Sequence, residues 1–188
     1  MSLGTRVPLE QARELAARLG AELESLASRI HVAGSVRRQR PIVSDIEFVL
    51  EPRRLSADLF GVAGAPDVEP IQRLAESWGR IKRAGPRLIG IADVLGSGID
   101  CELYLVHPPA QWGVILAIRT GPRELSQLAV SRMHRFRRRC EDGRVVDMGT
   151  GATIPCESEE RFFELAGMSC LPARFRDTAA AGAPVGGR

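Results

Sequence analysis

An α+β fold, with helices packed on one mixed β-sheet and a small α/β lobe after it, is predicted by three features of this 188-residue sequence. Apolar residues recur at helical spacing near the amino terminus and again around Trp78. Short runs of alternating apolar and polar residues lie between and after those helices. The pattern then changes at His107-Pro108-Pro109. A chain of this length buries one core, or one core with an appended lobe, and not several independent domains.

The elements follow in order. Leu9, Ala12, Leu15, Ala16, Leu19, Leu23 and Leu26 mark an amphipathic helix from Pro8 to about Ser28, with Pro8 suited to its first turn. Arg29 to Ala33 and Ile42 to Leu50 read as neighbouring strands on either side of a basic Gly34-Ser35 turn. Residues 51–70 are rich in Pro, Gly and Ala and read as an irregular insertion. A second helix carries Ile71, Leu74, Ala75 and Trp78, and strands at Arg87–Ala92 and Ile99–Val106 flank a Gly96-Ser97-Gly98 turn. Beyond Pro109 come a helix over Arg123–Arg139, a hairpin over Arg144–Ile154 and a short helix over Ser158–Ala166. Residues 178–188 are Ala, Gly and Pro with almost no large apolar side chain, and a disordered tail is expected there. No internal repeat is present.

Composition narrows the function classes. No apolar run reaches the length of a membrane span, and the Met1-Ser2-Leu3-Gly4-Thr5-Arg6 start has no export signal, so a cytoplasmic protein with no membrane partner is expected. Cys101, Cys140, Cys156 and Cys170 are scattered and form no CxxC pair, which disfavours zinc and structural disulfides. His31, His107 and His134 are isolated and have no ligand spacing. Nearly all basic residues are arginine, which a GC-rich genome alone would explain. Lys82 is the one lysine, so lyase chemistry through a Schiff base is disfavoured.

Two acids stand out. On the strand Ile42–Leu50, alternation puts Asp45 and Glu47 on one face and Ile46, Phe48 and Leu50 on the other. An ordinary exposed sheet face would account for that pattern by itself. The segment Gly34-Ser35-Val36-Arg37-Arg38 just upstream changes the balance. Gly allows close backbone approach, Ser offers a hydroxyl and the arginines supply fixed charge, so the turn can hold a triphosphate. Phosphate beside two carboxylates is an arrangement that Mg²⁺ bridges through oxygen ligands. Two such ions about 3.5–4 Å apart activate the attacking hydroxyl and stabilise the leaving oxygen. A third carboxylate would come from Asp100 or Glu102, which share a face of the strand Ile99–Val106, and spacing alone does not choose between them.

The joint pattern of Gly34-Ser35-Val36-Arg37-Arg38 and Val43-Ser44-Asp45-Ile46-Glu47-Phe48-Val49 resembles the family X DNA polymerases of the DNA polymerase beta-like nucleotidyltransferase superfamily. Trp112-Gly113 and Ile118-Arg119-Thr120-Gly121 look like that family's link from palm to thumb. The resemblance implies a palm over residues 1–107, a thumb-like subdomain over 108–177, and a minimal form similar to small phage and bacterial members, in a bacterial or phage-infected cell. It further implies that Gly34, Ser35, Arg38, Thr120 and Gly121 bind the nucleotide and that Asp45 and Glu47 bridge the metals. Position within the strand before Leu103-Tyr104-Leu105-Val106 favours Glu102 over Asp100 as the third ligand. The chain departs from the family in having Glu at that third site, Ile118-Arg119 where an aromatic pair usually stands, and no room for the amino-terminal lyase domain and helix-hairpin-helix elements.

The resemblance therefore implies a two-metal, Mg²⁺- or Mn²⁺-dependent DNA-directed DNA polymerase that extends a 3′ end in gap filling or repair. Its partners would be primer-template or gapped DNA and nucleoside triphosphates, and a monomer is expected. Arg132, His134, Arg135, Arg137, Arg138 and Arg139 would sit at the end of the thumb helix, where they favour the helix dipole and could neutralise DNA phosphates. Two alternatives stay open: the same transfer to RNA, a protein or a small molecule, and a non-catalytic DNA-binding accessory module of the same fold.

Overall fold

The computed structural model describes residues 5–55 and 64–180. In chain order its elements are β1 (Val7–Pro8), α1 (Leu9–Leu23), β2 (Ala27–Val32), α2 (Gly34–Arg37), β3 (Ile42–Val43), β4 (Asp45–Pro52), α3 (Glu69–Trp78), β5 (Arg80–Gly85), β6 (Leu88–Ala92) and β7 (Asp100–Leu105). There follow α4 (Trp112–Thr120), α5 (Arg123–Met133), β8 (Arg138–Glu141), β9 (Arg144–Asp147), β10 (Thr153–Ile154), α6 (Glu159–Leu165) and α7 (Arg176–Ala180). The architecture is mixed α and β, with a mixed sheet, as the α+β reading requires. Among the described residues no helix is long and apolar enough to cross a membrane. The chain forms two compact units, Met1–Val36 with Arg40–His107, and Arg37–Gln39 with Pro108–Arg188.

The first unit is built on a five-stranded sheet of order β2-β4-β7-β6-β5. All its pairings are antiparallel except β4 with β7, which run parallel at the centre. One face of the sheet buries Ile46, Phe48, Leu50, Cys101, Leu103 and Leu105 against Leu19 and Leu23 of α1 and Ile71 and Trp78 of α3. Alternation on the central strands thus aims every second side chain at that core and leaves Asp45, Glu47, Asp100 and Glu102 for the opposite face.

Several expectations change in this unit, beginning with the first helix, which ends at Leu23 and not near Ser28 because Ala27 opens β2. The strand expected over Ile42–Leu50 is broken at Ser44, because Ile42 and Val43 pair with Val7–Pro8 while Asp45 onward joins the main sheet. It also runs on to Pro52, beyond the expected start of the insertion, and residues 56–63 of that insertion lie outside the described residues. β5 was not expected at all: it is an edge strand with mostly exposed residues, so its sequence shows no clean alternation, and Arg80, Lys82 and Arg83 protect the edge from further pairing.

The second unit packs α4, α5 and α6 around Val114, Ala117, Leu125, Ala129, Phe162 and Phe163, beside the three-stranded sheet β10-β9-β8. α4 occupies a segment expected only as a link. Trp112, Val114, Leu116, Ala117 and Thr120 are all buried, so the helix lacks the polar face that makes a helical period visible. α5 ends at Met133 and not near Arg139: His134–Phe136 forms a single 3-10 turn, Arg137 has φ +55°, and Arg138 and Arg139 belong to β8. β8 and β9 are joined through Asp142-Gly143, both at positive φ, as the tight turns of hairpins demand. Of the expected disordered tail, Thr178 to Ala180 lie in α7, and residues 181–188 fall outside the described residues.

A buried ion cluster ties this unit together. Arg176, 1% exposed, donates from Nη1 to Glu159 Oε1 at 2.7 Å and stacks over Phe163, and Arg37 donates from Nη2 to Glu159 Oε2 at 2.5 Å. Burial pushes the Glu159 carboxyl up, but the hydrogen bonds and charges of Arg37 and Arg176 outweigh it and leave the group below its ordinary value. A carboxyl depressed in the folded state stabilises the fold above its unfolded pKa, near 4.5, and that contribution disappears as pH falls through the folded value. Replacing Glu159 by Gln removes the negative charge that Arg37 and Arg176 share and should cost about 3–5 kcal/mol at neutral pH. Denaturant unfolding of wild type and Glu159→Gln from pH 7 downward tests this: the gap should narrow below pH 4.5, and a constant gap across that range would contradict it.

Candidate functional site

The register of the two central strands builds the acid face. Asp45 lies opposite Asp100 and Glu47 opposite Glu102, with Ile46 opposite Cys101 on the core side. Because the pairing is parallel and in step, all four carboxylates rise from one face of two adjacent strands. Cys101, fully buried beneath them, registers their field: burial pushes its thiol well above the usual range, and Glu102, Asp45, Glu47 and Asp100 push it the same way.

The two candidates for the third acid differ in their surroundings. Asp100 accepts from Lys82 Nζ at 2.5 Å through Oδ2 and from the Asp93 backbone N–H at 3.1 Å through Oδ1. Its slight burial raises its pKa, yet the Lys82 hydrogen bond, the Asp93 amide and the charges of Lys82 and Arg80 bring it below the ordinary aspartate value. Glu102 instead accepts a short hydrogen bond from the Tyr104 hydroxyl, two residues along on the same face. Asp100 thus pairs with an ammonium at a partly exposed position, whereas Glu102 meets a neutral phenol.

The Gly34-Ser35 turn reaches this face from β2. Ala33 donates its backbone N–H to the Glu47 carbonyl at 2.8 Å, and Gly34 then turns with φ +59°. A Cβ on Gly34 would sit 1.9 Å from Glu47 Oε2, so a larger residue would have to push the end of the Glu47 side chain aside and adopt a left-handed backbone as well. Ser35 Oγ is buried and has no hydrogen-bond partner among the described residues. A buried hydroxyl without a partner carries a desolvation cost that a ligand oxygen would relieve.

The other expected nucleotide-binding residues meet in the second unit. Arg38 donates from Nη1 to the Thr120 carbonyl in a short hydrogen bond and from Nε to Asp177 at 3.1 Å. Arg37 donates to Thr120 Oγ1 at 2.6 Å. Thr120 ends α4, and Gly121 follows at φ +64°, where a Cβ would lie 3.1 Å from Arg38 Nη1. Arg38, Thr120 and Gly121 are thus brought together, with Asp177 as the guanidinium's present anionic partner.

The basic run expected at a helix end is divided: Arg132 and Arg138 are half-buried, whereas His134, Arg135, Arg137 and Arg139 are exposed. Arg132 donates to the carbonyls of Ala166 at 3.3 Å and Gly167 at 3.1 Å, and Arg138 to that of Leu165 at 2.9 Å, so both cap the carboxyl end of α6. Arg139 pairs with Glu141 at 2.7 Å. Sequence reasoning also missed Glu159 and Arg176, whose pairing joins residues 17 positions apart and has no local signature.

Among the described residues no three His, Cys, Asp or Glu side chains converge as a ready-made metal cage. The donor chemistry nonetheless suits a hard divalent cation, since Asp45, Glu47 and Glu102 offer carboxylate oxygens from a single face. No protein-family model matches the chain, and no curated protein matches it either.

The contact between turn and acid makes a direct expectation. Gly34→Ala adds the strain of a left-handed backbone, about 1–2 kcal/mol, to a clash that must displace Glu47. The variant should unfold at lower denaturant with an unchanged slope; unfolding indistinguishable from wild type would show that neither the left-handed backbone nor the Glu47 contact makes glycine necessary at position 34.

Proposed function

We propose that the chain is a metal-dependent nucleotidyltransferase of the family X type, with the first unit as palm and the second as thumb, extending a DNA 3′ end from nucleoside triphosphates. The observation that carries this reading is the parallel register that sets Asp45 and Glu47 beside Asp100 and Glu102, with the Gly34-Ser35 turn seated on Glu47. Either half alone would be ordinary; a carboxylate face with an unsatisfied serine hydroxyl on the adjoining turn is the combination that phosphate and a divalent cation complete.

In this reading Asp45, Glu47 and Glu102 hold Mg²⁺ or Mn²⁺, which when bound would supply charge neutralisation and activation of the attacking hydroxyl. Ser35 would donate its hydroxyl proton to a phosphate oxygen. Arg38 would exchange Asp177 for phosphate, since a guanidinium binds either anion through the same N–H groups. Asp100, tied to Lys82, would stay outside the donor set. The 3′ oxygen then forms a bond to the α-phosphorus as the bond to pyrophosphate breaks.

One observation favours a different acceptor under the same chemistry. Arg132 and Arg138 are engaged with carbonyls at the end of α6, which takes two of the expected basic residues from a surface that would track a duplex, while Arg135, Arg137 and Arg139 stay exposed. A terminus of RNA, a protein or a small molecule makes no such demand.

Primer extension by purified wild type, Asp45→Ala and Glu47→Ala, with Mg²⁺ and with Mn²⁺, separates these readings. Loss of at least ~100-fold in rate is expected for each variant, because each removes a metal ligand. Equal incorporation by all three would exclude the acid face as the catalytic centre. Triphosphate binding that needs Asp45 but gives no DNA extension would exclude the DNA polymerase reading and leave another acceptor or a non-catalytic module.

A further inference from the structure

Lys82 is placed by a specific backbone device. In the β5–β6 pairing Ile81 lies opposite Ile91 and Arg83 opposite Gly90, so Lys82 is the extra residue of a β-bulge on the edge strand. Bulges redirect a side chain and often occur beside active sites. Here the redirected side chain reaches past β6 to β7 and donates to Asp100 at 2.5 Å. β6 contributes Gly90 at the level of Glu102, and the missing side chain leaves a cavity of about 150 Å³ lined by Lys82, Arg83, Gly90, Asp100 and Glu102 among others. Asp100 is held from both sides, because its second oxygen accepts from the Asp93 backbone N–H, and Asp93 is itself in a left-handed conformation at φ +49°.

We propose that Lys82 is a positioning residue that withdraws Asp100 from the cation site, so that three carboxylates and not four face the metal, and that this sets how tightly and how selectively the site binds divalent ions. The inference rests on the nucleotidyltransferase reading of the acid face. Its physical basis is charge and ligand count. A fourth carboxylate adds Coulomb attraction for any divalent ion. It also favours ions that accept more oxygen ligands in looser geometry, such as Ca²⁺, over the strict octahedron of Mg²⁺. A lysine suits the role, since its compact ammonium meets one carboxylate oxygen and its flexible stem spans the bulge.

Direct binding of Mn²⁺ alone, followed by electron paramagnetic resonance with no nucleotide or DNA present, tests this. Competition by Mg²⁺ and Ca²⁺ gives the selectivity. Lys82→Met should bind Mn²⁺ roughly tenfold more tightly than wild type and should shift preference toward Ca²⁺. Lys82→Arg keeps the charge and should bind as wild type does. Lys82→Met combined with Asp100→Asn should return to the wild-type affinity, which a general loosening of the edge strand would not do. If wild type binds Mn²⁺ in a manner lost in Asp45→Asn, but Lys82→Met binds no more tightly, the positioning role is overturned and the metal site stands. If no form shows Mn²⁺ binding that depends on Asp45, the metal-site reading fails and this inference fails with it.

Discussion

The parallel pairing of β4 with β7 is the constraint on which the acid face depends. Because the strands run in step, Asp45 meets Asp100 and Glu47 meets Glu102, and a slip of one residue would bring Cys101 to that face and bury a carboxylate in the core. A parallel pair cannot be joined by a tight turn and needs a crossover. Here the connection runs through α3, β5 and β6, and the last two pair onward from β7. The same connection delivers Lys82 and the Asp93 amide to Asp100. The crossover that permits the pairing thus also supplies part of its electrostatic compensation.

Two acid clusters in this chain are handled in opposite ways. Glu159 meets two guanidinium groups, is buried, and has both oxygens engaged by Arg37 and Arg176, which is the saturated condition under which a buried charge serves structure. On the acid face Asp100 meets a single ammonium and Glu102 a neutral phenol. Like charges on neighbouring strands repel, and the Cys101 thiol beneath is pushed up by burial first and by all four carboxylates in the same direction. A group of acids set side by side in this way is a candidate for function on physical grounds, because titratable groups of one sign are brought together on one face.

The parts of the fold legible in the sequence are those where one face of an element is buried and the other is wet. α1, α3, β4 and β7 show their periods because Leu19, Leu23, Ile71, Ile46, Phe48, Cys101 and Leu103 are core while their neighbours are not. α6 announces its start through Ser158, whose Oγ accepts from the Arg161 N–H at 3.2 Å. The elements that escaped are those without such contrast: β5 is exposed nearly throughout, and α4 is buried nearly throughout. At the candidate site, alternation could place Asp45 with Glu47 and Asp100 with Glu102, but each pair only on its own strand. Their meeting depends on a parallel register across residues 45–105, and the choice between Asp100 and Glu102 depends on Lys82, whose strand left no pattern to read.

Arginine is where sequence reading is least able to assign a role, and the reason is chemical. A guanidinium offers the same planar fork to a phosphate, a carboxylate or a row of carbonyl oxygens. Arg132 and Arg138 use it on the last carbonyls of α6, and Arg37 uses it on Glu159 and Thr120. These are oxygens the chain must satisfy whatever ligand it binds, since a helix end leaves carbonyls without internal partners. Arg38 differs in kind: its Nε faces the Asp177 carboxylate at 3.1 Å, a partner that a phosphate oxyanion resembles in charge and geometry and could replace one for one. Its Nη1 meanwhile donates to the Thr120 carbonyl at the end of α4, so only the Nε contact is of the kind a phosphate oxygen could take over. By that criterion Arg38 is the arginine whose anionic partner is a half-buried carboxylate, and Arg37 is the one committed to buried Glu159.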